Sequence, residues 1–155
     1  MQWEEVGAYL GRVVRVAGLR ATSSFPSDVD AADTVLMLCF QYRLSCEAHA
    51  TDLFRRIGLA LPLAVKVHGP EAAALFGRLV EHFDAERPLL HIMTGLCHGS
   101  DAREAVEEFL GATWPSEERF DDWRSYSILI FGDVEFHDGV TRVVRAVVSG
   151  DSSSG

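Results

Sequence analysis

The hydrophobic and polar residues of the chain form two alternating patterns, short unbroken apolar runs and longer stretches with helical periodicity. Four apolar runs, at residues 34–40, 63–67, 89–93 and 126–131, predict β-strands. An unbroken apolar run is typical of a strand that is covered on both faces, as the strands of a parallel sheet are. The sequence therefore predicts that these strands form the middle layer of a layered fold.

Between and after these runs, apolar residues recur every three or four positions, which predicts amphipathic helices. We expect the first of these helices to end at Gly58, and we expect another to begin at Asp101, where Glu104 completes a capping box. The valines of the last helix leave a strand as the alternative there. The predicted helices cover 46–57, 70–83, 101–110, a short segment after Pro115, and 140–147.

The beginning of the chain is less regular. Apolar positions between Trp3 and Ala17 have helical spacing and predict a helix over 2–17, whereas 13–16 taken alone could be a strand. Residues 20–33 contain serine, proline and aspartate without periodicity. They are predicted to form a connecting loop.

Strands that are joined through helices run parallel, and such crossovers are right-handed. We therefore predict one α/β domain over 1–149, followed by a flexible tail at 150–155. The expected fold class is a three-layer, open, mostly parallel sheet of about four strands with helices on both faces, flavodoxin-like or Rossmann-like. The short likeness between 11–16 and 141–146 fits two edge helices with the same burial pattern.

Composition narrows the possible partners. The 155 residues are enough for one domain with a sizeable core. They include 14 Lys and Arg against 23 Asp and Glu, which gives a net charge of −9, and the pI is near 5.0. A surface this acidic repels nucleic-acid backbones and anionic lipid head groups, so we expect neither nucleic acid nor a membrane as partner.

The cysteines and the first residues of the chain indicate the cellular compartment in which the protein is expected. Cys39, Cys46 and Cys97 are an odd number without a CxxC pair, which is typical of a reducing compartment. The acidic first residues lack the positive charge of a signal peptide, and the apolar stretch 57–65 is too short to cross a membrane. The sequence therefore predicts a cytoplasmic protein.

In an open parallel sheet, ligands bind in the crevice beyond the carboxyl ends of the strands. The predicted strand ends carry His68, Cys97, His98 and Asp133, and Cys46 begins the helix after the first strand. One hypothesis is nucleophilic catalysis, with a cysteine as thiolate, His68 or His98 as base and Asp133 as orienting acid. The alternative is that these cysteines are small buried apolar residues.

Two further hypotheses concern ligands at the same strand ends. Segment 95–100 leads from a strand into a helix, where free amides favour phosphate, but its spacing is neither GxGxxG nor a P-loop. Soft ligands among the cysteines and histidines could bind zinc, but no metal-binding spacing is present, so no metal and no cofactor are predicted. The candidate ligand-binding residues are Tyr42, His68, Gly69, Gly95, His98, Gly99 and Ser100.

Aromatic and acidic residues alternate near the fourth strand. Trp114, Phe120 and Trp123 lie within ten positions of one another, among four acidic residues. Tryptophan and other aromatics are favoured anchors of protein interfaces. We therefore consider these three residues a candidate partner surface, with core packing as the alternative interpretation.

Several short motifs resemble a known family. They are HGPE at 68–71, TGLCH at 94–98, WPSEE at 114–118 and the strand end IFG at 130–132. Over about 34–136 the chain resembles a family of small uncharacterised bacterial α/β proteins, a domain of unknown function. That family often has tryptophan where this chain has His68 and Cys97, so a role that depends on those aromatics does not carry over. The resemblance implies a bacterial origin and an α/β fold, and it implies no activity.

Together these features favour a small acidic module that binds a protein partner, or a second copy of itself, without catalysis. A regulatory or immunity-type role fits, because an acidic protein can neutralise a basic partner by electrostatic complementarity. The alternative is a nucleotide- or phosphate-binding protein, or a small Cys/His enzyme, that uses the crevice at the strand ends.

Overall fold

The computed structural model of the protein describes residues 1–26, 28–44, 46–86 and 92–150. It contains six strands, four helices and two short 3-10 helices, at Thr22–Ser24 and Glu117–Asp122. The strands are β1 (Glu4–Tyr9), β2 (Arg12–Leu19), β3 (Thr34–Phe40), β4 (Ala64–His68), β5 (Met93–Leu96) and β6 (Ser125–Phe131). The helices are α1 (Glu47–Ala60), α2 (Ala72–Glu86), α3 (Ala102–Ala112) and α4 (Val134–Ser149).

All six strands belong to one sheet, in the order β1-β2-β6-β3-β4-β5. Only β1 pairs antiparallel with its neighbour, and the other four pairings are parallel. The α/β fold with a mostly parallel sheet is thus confirmed, but the sheet has six strands instead of about four. The two additional strands are β1 and β2, which come from the segment expected to be a helix.

The central strands are buried on both faces, as their apolar runs predict, since every residue of β3 and β6 is buried. Their side chains alternate between two separate cores. Leu36 and Leu38 of β3 pack in a core with α1 and α2, whereas Val35 and Met37 pack in a core with α3 and α4. The fold therefore has three layers, with two helices on each face of the sheet.

The expected helix over 2–17 is wrong, because these residues form the antiparallel hairpin β1–β2. The turn between the strands is Leu10–Gly11, and both residues have positive φ, 50° and 81°. Val14 and Val16 are buried on one face of β2, in keeping with the preference of β-branched residues for strands. The interpretation of 11–16 and 141–146 as matching edge helices is therefore wrong for the first segment.

Other boundaries also differ from the expected ones. Helix α1 does not end at Gly58, which lies buried inside it; the helix ends at Ala60, after which Leu61 adopts the left-handed conformation. Residues 89–91 of the third predicted strand lie outside the described residues, and β5 extends from Met93 to Leu96, beyond the predicted end at residue 93.

The last helix begins at Val134 and is continuous through the valines, so the strand alternative there is wrong. The expected loop over 20–33 includes the 3-10 helix Thr22–Ser24, whose neighbour Phe25 is buried in the core on the α1 face. The expected flexible tail falls at 151–155, outside the described residues, apart from Gly150, which ends α4.

The four helices contain between 11 and 16 residues. A membrane-crossing helix needs about 20 predominantly apolar residues. In the part of the chain that the structure describes, none of the helices meets the length and hydropathy needed to span a bilayer.

The loops that leave the strands determine where a crevice forms at the carboxyl ends of the sheet. After β2 and β3 the chain passes to the face that carries α1, whereas after β6 it passes to the opposite face, into α4. Because β6 lies between β2 and β3, its exit loop diverges from the loops on both sides. This divergence leaves space at the carboxyl ends of the three strands.

Candidate functional site

Two clefts large enough for a small molecule lie at the carboxyl ends of the strands, within the described residues. The larger, of about 640 Å³, lies at the ends of β2 and β6 beside the first turns of α4, and we call it the Arg20 cleft. Its lining includes Leu19, Arg20, Tyr42, Asp133, Val134 and His137. The smaller, of about 450 Å³, lies at the ends of β3, β4 and β5, and we call it the His68 cleft. Its lining includes Gln41, His68, Gly69, Cys97, Asp101 and Phe136.

A hydrogen-bonded pair joins a residue of one cleft to a residue of the other. Gln41 accepts a hydrogen bond from the backbone N–H of Asp133 (2.8 Å) and donates one from Nε2 to its carboxylate (3.1 Å). The other carboxylate oxygen of Asp133 accepts from the N–H of Phe136 (2.8 Å), which caps α4. These bonds, first that from Phe136 and then that from Gln41, lower the pKa of Asp133. Asp133 is therefore an ionised helix cap.

His68 is half-buried at the end of β4 and faces the smaller cleft. Burial lowers its pKa, because it disfavours the charged imidazolium. A hydrogen bond from the imidazole to the backbone carbonyl of Cys97 and the carboxylates of Asp101 and Glu108 oppose this effect only in part. The imidazole is therefore neutral at neutral pH.

The thiols next to this cleft are not activated. Burial raises the pKa of Cys97 to about 12, and it does the same for Cys39. The Cys97 sulfur lies 3.9 Å from the sulfur of Met37, inside the core under α3. A nucleophilic cysteine needs a lowered pKa, so this environment suits a buried apolar residue better than a catalytic thiolate.

The structure does not bring His68, His98 and Asp133 together, as the sequence suggested. His68 lines one cleft, Asp133 lines the other, and His98 lines neither. The His98 ring is exposed, and its Nδ1 lies 3.1 Å from a carboxylate oxygen of Glu108 on α3. The expected base and orienting acid are therefore separated.

The turn into α3 is closed by its own carboxylates. Asp101 accepts from the N–H of Glu104 (2.9 Å), which confirms the helix start expected there. The carboxylate of Glu104 accepts from both the N–H (2.9 Å) and the hydroxyl (3.1 Å) of Ser100. Because these anionic groups occupy the helix N-terminus, the geometry does not favour a phosphate at this turn.

The two glycines of this segment have packing roles. A Cβ at Gly99 would lie 2.6 Å from the backbone nitrogen of Ala105, so glycine permits the close approach of turn and helix. A Cβ at Gly95 would lie 2.7 Å from the side chain of Lys66, which crosses it from β4. Gly95 thus lies within β5, away from both clefts.

Among the described residues, no group of three or more His, Cys, Asp or Glu side chains is arranged to hold a metal ion. The four residues considered for zinc occupy different surroundings. Cys97 is buried, His98 is exposed, and Cys46 lies at the start of α1, outside the His68 cleft.

A different surface forms at the opposite, amino end of the strands. The loop before β3 and the 3-10 helix before β6 meet there, where the N–H of Arg124 donates to the carbonyl of Asp33 (2.8 Å). Their acidic side chains are all exposed. We call this surface the acidic edge, and its members are Asp28, Asp30, Asp33, Glu117, Glu118, Asp121 and Asp122.

The arginines of this region are engaged with the protein itself. Arg119 donates to the carbonyls of Leu61 (2.7 Å) and Pro62 (3.0 Å). Arg12 lies 3.8 Å above the ring of Trp123 and donates to its carbonyl (3.3 Å). Arg124 donates to the carbonyl of Asp121 (2.8 Å). These three arginines offset part of the negative charge, and the seven carboxylates leave the acidic edge with a net excess of it.

Two of the three candidate aromatic anchors are exposed. Trp114 is 56% exposed and Phe120 is 45% exposed. Trp123 is only 6% exposed, donates from its indole N–H to the carbonyl of Ser125 (3.0 Å) and packs 5.2 Å from the Tyr126 ring. Trp123 is therefore a core residue, and its assignment to a partner surface is wrong.

Two residues of the Arg20 cleft were missed from the sequence. Arg20 and His137 lie in segments taken as loop, and only knowledge of the strand order places them at one cleft.

Comparison of the chain with known protein families, curated proteins and solved structures finds no match. The resemblance to small bacterial α/β proteins therefore stays a prediction.

Proposed function

We propose that the protein binds a basic protein partner through the acidic edge, with Trp114 and Phe120 as apolar contacts, in a non-catalytic, regulatory role. The observation that carries this proposal is the meeting of seven exposed carboxylates from two segments distant in sequence. The neighbouring arginines are turned towards backbone carbonyls. The result is a surface with an excess of negative charge, which the fold builds from the two segments around Arg124.

Electrostatics supports a basic partner. A cluster of one sign attracts the opposite sign over about a Debye length, roughly 8–10 Å at physiological salt, and accelerates encounter. The same cluster repels a second copy of itself, so the acidic edge favours a different, basic protein over self-association. Like-charge contact also disfavours acidic competitors.

Apolar anchors support a protein over a small ion. Interfaces combine a few aromatic contacts with a surrounding polar rim. Phe120 lies within the 3-10 helix that supplies four of the carboxylates, and Trp114 precedes it by a few residues. Exposed aromatic side chains within and just before this 3-10 helix support a protein partner, which would shield them from water.

The test compares capture by matched baits from a lysate of the protein's native cells. The first variant, Glu118→Gln with Asp122→Asn, removes two charges from the acidic edge. The control, Glu81→Gln with Asp84→Asn, removes two exposed charges from α2. We expect basic proteins that are retained by the wild type and the control to be lost from the acidic-edge variant, and to be released by salt.

A fourth bait, Trp114→Ala, separates specific binding from simple charge attraction. It preserves the net charge and changes an exposed side chain, so the fold should persist, as circular dichroism will show. We expect the same basic proteins to be weakened on this bait. Retention that is equal on all four baits, or the absence of any salt-sensitive basic protein, would contradict the proposal.

A further inference from the structure

The Arg20 cleft has the size of a small-molecule site, because ligand pockets commonly enclose about 300–1,000 Å³ and this one measures about 640 Å³. It exists because β2 and β6 end side by side and their exit loops turn to opposite faces of the sheet. Crevices of this kind, at the carboxyl ends of parallel strands, are the usual ligand positions of open α/β sheets. The cleft lies at the end of the sheet opposite the acidic edge.

The walls of this cleft expose apolar side chains. Tyr42 is 68% exposed and Val134, the first residue of α4, is 69% exposed. Leu19 lines the cleft from the end of β2. Exposed aromatic and branched apolar side chains around a concavity favour a ligand with a flat apolar body, which would shield them from water.

The charged side chains of the cleft differ in whether they have hydrogen-bonding or ionic partners within the protein. Both carboxylate oxygens of Asp133 are engaged, one by the α4 backbone and one by Gln41. His137 packs closely against β2, where a Cβ at Gly18 would lie 2.6 Å from its ring, and its Nδ1 lies 3.3 Å from Asp138. Arg20 is exposed and, among the residues that the structure describes, forms no hydrogen bond or ion pair. The unpartnered charge is therefore positive.

We propose that the Arg20 cleft binds a small aromatic carboxylate. The guanidinium of Arg20 pairs with the carboxylate, for which its planar set of donors is well suited. The aromatic body lies against Tyr42 and Val134. Both carboxylate oxygens of Asp133 already accept hydrogen bonds, from the Phe136 N–H and from Gln41, and neither forms an ion pair with Arg20 among the described residues.

The test uses naphthalene-2-carboxylate as probe, titrated into the full-length protein and followed by amide NMR shifts. We expect saturable shifts at the amides of Gly18, Gly132 and Val134. Two analogues of the same shape, 2-naphthylmethanol and 2-naphthylmethylammonium, vary only the charge. Both should bind more weakly than the carboxylate. The alcohol cannot form an ion pair with Arg20, and the ammonium is repelled by it.

Arginine variants separate this site from general attraction of anions. Arg20→Ala should weaken carboxylate binding about tenfold, as expected for loss of a charge-assisted hydrogen bond. Arg78→Ala removes the same charge from α2, at a distance from the cleft, and should leave binding unchanged. Tyr42→Ala changes an exposed ring and should weaken all three probes together.

Several results would overturn the proposal. They are the absence of saturable shifts, shifts that map to another surface, equal or tighter binding of the alcohol or the ammonium, and an affinity that Arg20→Ala leaves unchanged. The acidic-edge variant, with Glu118 and Asp122 neutralised, provides an internal check. It should bind the probe as the wild type does, because the two surfaces lie at opposite ends of the strands.

Discussion

At the scale of residues, a chain of polar side chains crosses the middle of the sheet. Arg15 of β2 donates from Nε to the hydroxyl of Ser127 on β6 (2.8 Å), and that hydroxyl lies 2.7 Å from the hydroxyl of Thr34 on β3. Ser127 and Thr34 are fully buried, and the Arg15 guanidinium lies 4.3 Å above the Trp3 ring. Partial burial lowers the pKa of Arg15, which nevertheless stays charged. Ser127 thus connects three neighbouring strands.

We expect Ser127→Ala to lower the free energy of unfolding by about 1–2 kcal/mol, because Arg15 and Thr34 each lose a partner while remaining partly or wholly buried. Urea denaturation followed by circular dichroism measures this change. Ser24→Ala, at an exposed position, is the control and should change stability by less than about 0.5 kcal/mol. Equal stability of the two variants would show that the polar chain contributes nothing.

The half-buried His68 gives a pH-dependent stability with a definite sign. Because folding lowers its pKa below the ordinary value of 6.5, the unfolded chain binds a proton that the folded protein resists. The contribution of His68 to the free energy of unfolding is therefore fully present above pH 6.5. It is lost as the pH falls through the folded pKa. We expect His68→Gln to flatten the loss of stability in that window, as measured by urea denaturation at several pH values.

The control for this measurement is His49→Gln, at an exposed position of α1. It should follow the wild-type pH dependence. The interpretation fails if His68→Gln and the wild type lose stability in parallel over the window.

At the scale of elements, the hairpin and α4 depend on each other. Gly7 of β1 has a φ of 149°, and a Cβ there would lie 2.5 Å from a methyl group of Val148 on α4. A salt bridge between Glu4 and Arg145 joins the same two elements. The irregular pairing between Glu5 and Gly7 marks a bulge, for which glycine is suited. Close packing of the helix on β1 therefore requires glycine at this position.

We expect Gly7→Ala to lower the free energy of unfolding by about 1–3 kcal/mol, because the new methyl group combines backbone strain with overpacking. Gly139→Ala serves as the comparison, since a Cβ there meets no atom within 4 Å. In the interior of α4 that change should raise stability by about 0.5–1 kcal/mol. Thermal denaturation of both variants checks the pair, and the same sign for both would contradict this account.

The elements that sequence predicted well are those whose pattern admits one structure. The unbroken apolar runs of β3 and β6 and the stripe of α2 fit only a buried strand and an amphipathic helix. Residues 2–17 fit both a helix and a hairpin. Leu10 has the spacing of the apolar positions of a helix, but in the structure it is exposed in the hairpin turn. Residues 94–96 of β5 were missed, since they are only half-buried and lack a strong apolar pattern.

At the scale of the whole molecule, the strand order was beyond sequence reasoning. Parallel strands could be inferred, but nothing local shows that β6 inserts between β2 and β3. That insertion decides the candidate sites. It separates His68 from Asp133, joins Arg20 to Tyr42 and Val134, and brings the loop before β3 to the 3-10 helix before β6. The expected convergence of histidines and aspartate failed for this reason.

The excess of negative charge should make stability depend on salt. Mutual repulsion within the acidic edge weakens when salt is raised from about 10 to about 150 mM, because the Debye length shortens from about 30 to about 8 Å. We expect the melting temperature of the wild type to rise over this range. The rise should be smaller for the variant that neutralises Glu118 and Asp122.

Differential scanning calorimetry measures the effect, with the Glu81→Gln and Asp84→Asn variant as the charge-matched control. The control should respond to salt more nearly as the wild type does. A salt response that is the same in all three proteins would show that repulsion is spread evenly and is not concentrated at the acidic edge.

The late position of β6 in the chain has a consequence for biosynthesis. Strands β2 and β3 each pair with β6, more than ninety residues beyond the start of β3. The edges of β2 and β3 that face β6 therefore have no hydrogen-bonding partner while the ribosome is still producing the middle of the protein. Such distant pairings make folding slow. Until residue 131 has emerged, two apolar strand edges stay open to chaperones and to aggregation.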